Sequence, residues 1–228
     1  MTPKATYVFR TFVVVATLAA CAGRRTHSSE SGPRPSAMMG DEAAVARAKA
    51  DSARYPYTEA DVRFMSTMIS HHAQAIAMAR LSETNGANPA IRRLSDRIIN
   101  AQTDEIGLMG GWLRARHRPV PEANPAGMKM TMNGMEHVML MPGMLTDAQM
   151  AQLRAARDGE FDRLFLTFMI QHHRGAVEMV NELLGHRGAA QDETVFKFAS
   201  DVHVDQTTEI TRMLQMLLAL GGAASPVQ

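Results

Sequence analysis

The chain has 228 residues, and its 24 basic and 23 acidic side chains give a formal net charge of +1. This balance excludes the strongly basic surface of a nucleic-acid-binding protein, so no nucleic acid is predicted as a partner. Aromatic residues are only 5% of the sequence, whereas 19 methionines accompany a single cysteine, a composition that favours packed helices over aromatic-rich strands.

Residues 1–21 are predicted to form an export signal. Basic residues precede an apolar run over 11–20, which is too short to cross a bilayer but suits a signal peptide. The run ends in Leu-Ala-Ala-Cys at 18–21, which resembles the bacterial lipobox, whose cysteine is diacylated; the alternative is an ordinary signal peptide cleaved nearby. The first interpretation predicts a lipid anchor on Cys21, facing the periplasm or the extracellular side.

Residues 22–55 are predicted to form a flexible tether, because Ser, Gly, Pro, Arg and Ala predominate there. Residues 41–54 within it have some helical tendency. The folded domain is predicted over 56–220, followed by a tail at 221–228. No segment after the signal is long and apolar enough to span a membrane, so the lipid is the only membrane attachment expected.

Two related segments, residues 61–116 and 162–220, predict a duplicated pair of helices. Breaker residues separate the two helices of each pair, and a crossover over 117–160 joins the pairs. The predicted fold is therefore all-α, with four long helices. The segments that align are 64–72 with 165–173, 75–78 with 176–179 and 102–109 with 206–213.

Histidine pairs lie within the apolar stripe of the first helix in each segment, at about 100° per residue. A methionine lies one turn before each pair, and a glutamate lies in the middle of the apolar stripe of each second helix. Imidazole binds copper, zinc, iron or nickel, and thioether adds selectivity for Cu(I). The alternative is a structural layer in which histidines donate hydrogen bonds to the glutamates. The residues are Met68, His71, His72 and Glu105, then Met169, His172, His173 and Glu209.

The crossover holds a second group of candidate ligands and contains too much Gly and Pro for an ordinary core helix. Clustered thioethers favour Cu(I) or Ag(I) and bind without losing a proton. A hydrophobic flap and a sacrificial oxidation site are the alternatives. Thr146 predicts that a helix begins after this segment. The candidate ligands are Met128, Met130, Met132, Met135, His137, Met139, Met141 and Met144.

The paired Met-Ile-x-His-His and Gln-x-x-Glu-Ile-x-x-Met motifs, with the methionine-rich crossover, resemble the domain-of-unknown-function family 305 over roughly residues 57–220. The resemblance implies a ferritin-like four-helix bundle, export and, for some members, copper binding and copper tolerance. Leu166 replaces Met65 and Met216 replaces Trp112 between the copies, so two sites of unequal affinity are expected. The resemblance assigns Met68, His71, His72, Met78, Gln102, Glu105 and Met109, then Met169, His172, His173, Met179, Gln206, Glu209 and Met213.

The predicted function is an exported protein that buffers or sequesters copper at the cell envelope and contributes to metal tolerance. Cu(I) is the expected cargo, with Ag(I) or Cu(II) as alternatives, and no catalysis is required. A metal-dependent enzyme and a scaffold without metal are the competing hypotheses. A di-iron site is disfavoured, because each repeat has one inward glutamate and no Glu-x-x-His. A homo-oligomer and a protein that receives the copper are left open as partners.

Overall fold

The computed structural model describes residues 40–54, 56–132 and 135–222. The predicted signal peptide with Cys21, the first part of the predicted tether and the end of the tail lie outside these residues. None of the helices in the described part of the chain is long and apolar enough to cross a membrane.

The described residues form six α-helices, one 3-10 helix and a two-stranded sheet. The prediction of a mainly helical chain is confirmed. The elements are α1 Asp41–Arg54, α2 Glu59–Arg80, the 3-10 helix Leu81–Glu83, α3 Pro89–Ala115, β1 Met128–Met132, β2 Met135–Met139, α4 Asp147–Ala155, α5 Asp158–Gly185 and α6 Glu193–Gly222.

The sheet lies in the crossover, where the prediction of an all-α chain is wrong. Strands β1 and β2 pair antiparallel, with Met128 opposite Met139, Met130 opposite His137 and Met132 opposite Met135. Glycine and proline around this segment interrupt helical hydrogen bonding, so its backbone groups find partners across a strand pair instead.

Helix ends follow from local capping. The Thr58 side chain caps α2 in a capping box with Asp61, and Asn88 caps α3, whose first residue is Pro89. Thr146 caps α4 in a second capping box, which confirms the predicted helix start. Helix α1 lies within the segment predicted as a tether; two of its alanines are buried, and it packs against α3.

The four long helices pack as two pairs. Helix α2 packs against α3, α5 packs against α6, and the two pairs meet where α2 contacts α5. Two hydrophobic clusters fill the interior. The first cluster contains 64–69 of α2 with 176–183 of α5, and the second contains 75–79 of α2 with 161–170 of α5. The N-terminal half of each central helix thus packs with the C-terminal half of the other, so α2 and α5 run in opposite directions.

Two buried aspartates at aligned positions connect the helix pairs. Asp61 Oδ1 accepts a hydrogen bond from the backbone N–H of Ala190, 2.7 Å away in the loop between α5 and α6. Asp162 accepts from the backbone N–H of Asn88 at 3.1 Å and from its side-chain amide at 2.6 Å. Each aspartate therefore binds the loop of the other pair. Neither aspartate stands out in the sequence, because an acidic residue in the first turn of a helix is ordinary.

Replacing either aspartate with alanine is expected to lower the free energy of unfolding by roughly 2–3 kcal/mol. The reason is that D61A leaves the buried N–H of Ala190 without an acceptor, and D162A does the same to the half-buried N–H groups of Asn88. Urea unfolding of each variant measures this change. D104A, on the exposed face of α3, is the matched control and should stay within about 0.5 kcal/mol of the parent chain. Equal effects for all three variants would contradict the role of the aspartates.

Candidate metal centre

A polar layer separates the two hydrophobic clusters. In each long helix its members lie between residues of the first cluster and residues of the second. The four histidines and two glutamines are buried, whereas the side chains of the two glutamates are 21% and 25% exposed. The polar layer consists of His71, His72, Gln102, Glu105, His172, His173, Gln206 and Glu209.

Two histidines are held by glutamates in the same way. His72 Nε2 lies 2.7 Å from Glu105 Oε2, and His173 Nε2 lies 2.7 Å from Glu209 Oε2. A carboxylate accepts, so each Nε2 carries the hydrogen of its bond. Neither Nδ1 atom has a hydrogen-bond partner. A carboxylate that orients an imidazole and leaves its other nitrogen free is the common second-shell arrangement of metal-binding histidines.

The other two histidines face each other across the contact between α2 and α5. The ring centroids of His71 and His172 are 3.9 Å apart. His71 Nε2 donates a hydrogen bond to the carbonyl oxygen of Pro142 at 2.9 Å, and its Nδ1 has no partner. Neither ring nitrogen of His172 has a partner.

Burial keeps this histidine pair neutral. Desolvation, followed by the charge of neighbouring His72, lowers the pKa of His71 to about 3. Desolvation, followed by the charge of His71, lowers the pKa of His172 well below its usual value. Neutral imidazole nitrogens are the form that binds a metal ion, since a protonated ring has no free lone pair.

Thioethers flank the polar layer on both sides. Met68 lies one turn before His71 in the first cluster, and Met169 lies one turn before His172 in the second. Six of the methionines proposed as ligands lie in the long helices, three in each cluster. In each cluster two of them come from one helix pair and one comes from the other. The first cluster contains Met68, Met109 and Met179, and the second contains Met78, Met169 and Met213.

The donor set suits a soft metal ion. A buried ring nitrogen without a partner costs about 1–3 kcal/mol, and the polar layer has five of them. Within 40–54, 56–132 and 135–222, no group of three or more histidine, cysteine, aspartate and glutamate side chains is placed to hold a metal ion. A bound ion would therefore draw on imidazole and thioether together, a combination that favours Cu(I).

A tight turn of the crossover covers the histidine pair. The backbone N–H of Met144 donates to the carbonyl of Met141 at 3.1 Å, and Gly143 between them has φ +75°, as the third residue of a type II turn requires. Met141 and Met144 are buried in the first cluster. Pro142, between them, is the residue whose carbonyl binds His71.

The remaining crossover candidates lie further out. Met128 is partly buried against the first cluster, while Met130, Met135, His137 and Met139 are exposed. Met132 lies in β1, opposite Met135. The structure thus buries Met141 and Met144 in the first cluster, on either side of the residue that contacts His71, and leaves most of the strand residues at the surface.

Two aligned positions that the sequence analysis did not select as site residues hold the crossover in place. The Gln74 side chain donates to the carbonyl of Leu145 at 3.0 Å and accepts from its N–H at 2.6 Å. Gly175, at the matching position of α5, lets the turn approach closely, because a Cβ there would be 1.9 Å from the Pro142 oxygen. The feature of the sequence that could have revealed these two positions is the difference between the copies, since one has glutamine where the other has glycine.

A groove of about 240 Å³ between α3 and α6 reaches the polar layer from another side. Its lining includes Gln102, Gln206 and both glutamates, together with Asp205. Burial, followed by the charge of Glu105, raises the pKa of Asp205. The glutamates that hold His72 and His173 are therefore accessible from this groove.

The sequence matches the model of a domain of unknown function (DUF305) over residues 61–217. The chain belongs to the DUF305 family. This confirms the resemblance found in its motifs. A solved structure described as "putative secreted protein DUF305 from Streptomyces coelicolor" is 30% identical, with a TM-score of 0.58 over 71% of this chain and 94% of the other. A DUF305 fragment from Deinococcus radiodurans is 27% identical, with a TM-score of 0.57 over 71% of this chain and 97% of the other.

Structures of the protein CopM also resemble this DUF305 protein. CopM in the Cu(I)-bound form is 28% identical, with a TM-score of 0.52 over 70% of this chain and 96% of the other. CopM in an Ag-bound form is 27% identical, with a TM-score of 0.51 over the same shares of the two chains. No curated protein matches the sequence.

The buried neutral histidines predict that the metal-free DUF305 protein loses stability in acid. The unfolded state binds more protons between the folded pKa of His71, about 3, and its ordinary value of about 6.5. The free energy of unfolding therefore has its full value above about pH 6.5. It decreases as the pH falls from about 6.5 toward 3, because protons bind the His71 ring in the unfolded state and not in the folded state. For His71 alone, the loss at pH 5 is roughly 2 kcal/mol.

Urea unfolding in chelator at pH 7 and pH 5 measures this loss. The double variant H71L/H172L, which cannot take up protons at these positions, should show a smaller difference between the two pH values. The same difference in both proteins would contradict the assignment.

Substituting Gly175 with alanine is expected to displace the turn from His71 and lower the free energy of unfolding by about 1–3 kcal/mol. The cause is the overlap of the new Cβ with the Pro142 carbonyl. The control is G107A in α3, where a Cβ meets nothing within 4 Å and the better helix former should stabilise by about 0.5–1 kcal/mol. Thermal or urea unfolding compares the two, and a stabilised G175A would contradict the close contact.

Proposed function

We propose that this DUF305 protein is an exported copper-binding protein that holds Cu(I) in the polar layer and buffers or sequesters copper at the cell envelope. The observation that carries the proposal is the histidine pair of α2 and α5. Both rings are buried and neutral, three of their four nitrogens have no partner, and thioethers lie on both sides of them.

Copper(I) fits these surroundings better than a hard divalent ion does. Burying an unpaired charge in an apolar interior is costly, and a monovalent ion carries the smallest charge that a metal can bring. Imidazole and thioether are neutral ligands that suit Cu(I) and Ag(I), whereas calcium and magnesium require carboxylate and carbonyl oxygens. Glu105 and Glu209, one hydrogen bond behind His72 and His173, supply compensating negative charge.

The similar structures support the same cargo. CopM, at 28% identity, has been solved in a Cu(I)-bound form and also in Cu(II)-bound and Ag-bound forms. We assign the four long helices to a ferritin-like bundle on their pairing. Export is supported by the name of the Streptomyces relative, and attachment through lipidated Cys21 is part of the proposal.

A purely structural polar layer is the second candidate. It is favoured by the two His–Glu hydrogen bonds, which satisfy part of the layer without metal. It leaves five ring nitrogens without partners, whereas a bound ion would use the lone pair that each neutral ring offers on one nitrogen. An enzymatic role draws no comparable support from the residues described.

Changing His71, His72, His172 and His173 to leucine together is expected to weaken Cu(I) binding by at least about a hundredfold, because the variant loses every imidazole of the polar layer. A competition titration against a chromophoric Cu(I) chelator, under reducing and oxygen-free conditions, measures the affinity and the number of ions bound.

The matched control is H117Q/H186Q, which removes two exposed histidines and should bind Cu(I) as the parent chain does. Circular dichroism checks that each variant is folded. A well-folded parent chain that takes up no Cu(I) would sink the proposed function and leave the polar layer as a structural feature.

A further inference from the structure

We propose that the hairpin formed by β1 and β2 is an entry site, which captures Cu(I) at the surface and passes it along a line of thioethers to the polar layer. This inference rests on the proposed copper-binding function. It adds a second, exposed site and a direction of transfer between the two sites.

The strand register places soft ligands on one face of the hairpin. Residues directly opposite each other in an antiparallel pair share a face, and alternate residues of a strand return to that face. Met128 pairs with Met139, and Met130 pairs with His137. The opposite face carries Lys129, Glu136 and Val138. The ligand face consists of Met128, Met130, Met135, His137 and Met139.

The thioethers and the imidazole of this face are open to solvent. A flap that covers a hydrophobic core would bury its apolar side chains. Met130 is 38% exposed, Met139 40% and Met135 61%, although large apolar side chains lose favourable free energy when they stay in water. Thioethers beside an imidazole at the surface are instead available to an ion that arrives from solution.

A graded path leads inward from the hairpin. Met128, which faces exposed Met139 in the register, is itself partly buried against the first cluster. The same cluster contains Met141 and Met144 of the turn, and Met68 of α2. The turn ends at the polar layer, because the carbonyl of Pro142 binds His71. The burial of the thioethers therefore increases from the hairpin to the cluster that adjoins the buried histidines.

The chemistry along the path is ligand exchange. Each step forms one metal–sulfur or metal–nitrogen bond and breaks another, so copper remains Cu(I) and no proton or electron is transferred. Thioethers need no deprotonation, which makes each exchange independent of proton release. The hairpin offers a single imidazole, whereas the facing rings of His71 and His172 lie 3.9 Å apart at the inner end, so the better donor set lies there and sets the direction.

The test is the rate at which the full chain takes up Cu(I) from a chromophoric chelator complex in a stopped-flow instrument. The triple variant M130L/M135L/M139L removes the exposed thioethers while keeping apolar side chains of similar volume. It is expected to load the polar layer at least about tenfold more slowly and to bind one ion fewer at saturation, while the polar layer keeps its affinity at equilibrium.

A second variant separates capture from transfer. M128L removes one thioether of the ligand face, at the half-buried step of the path, and keeps Met130, Met135 and Met139. Copper should therefore still bind the hairpin while loading of the polar layer slows. M216L, which changes a partly buried methionine beside the second cluster, is the matched control and should load at the parent rate.

Equal loading rates in the triple variant, M128L and the parent chain would overturn the entry site while leaving copper binding intact. Failure of the proposed function gives a different result, because the parent chain itself would then take up no Cu(I). The two failures are thus distinguishable in one set of measurements.

Discussion

Four imidazole rings buried between two hydrophobic clusters form the constraint on which the rest of the structure depends. An imidazole in an apolar interior must stay neutral or be paired, and each ring nitrogen needs a partner. The flanking helices α3 and α6 meet part of this need by bringing Glu105 and Glu209 to the layer. The crossover meets another part with the Pro142 carbonyl. The nitrogens that are left over are the basis for assigning a metal to the layer.

The crossover makes the two halves of the polar layer unequal. It packs on both central helices, through the side chain of Gln74 on α2 and through the bare backbone of Gly175 on α5. Its turn supplies a hydrogen bond to His71, whereas His172 at the aligned position has none. The two helix pairs are similar, but the crossover contacts their histidines differently. A copper ion at this position would therefore bind two imidazoles with different hydrogen bonding.

Much of the fold could be predicted from the sequence, because a helical period and capping residues are local signals. The inward placement of His71 and His172 followed from that period alone. The strand pairing in the crossover was missed although its signals are local. Residues 128–132 alternate apolar and polar side chains, and the Asn-Gly dipeptide that follows them favours a hairpin turn. Asp61 and Asp162 escaped notice because their partners are loops distant in sequence. Hydrogen bonds between residues so far apart in the chain produce no periodic pattern in the sequence.

Asp61 and Asp162 each bind the loop of the other helix pair, so neither pair satisfies its hydrogen bonds without the other. Two separate chains, each with one helix pair, could satisfy these aspartates only by associating as a two-fold dimer. Such a dimer would present identical surfaces on both sides of its histidines. Joining the pairs through a single crossover removes that equivalence, so one chain gains a covered side and an open side. Covalent linkage thereby makes the two approaches to the polar layer different, one through the crossover turn at His71 and the other through the groove between α3 and α6.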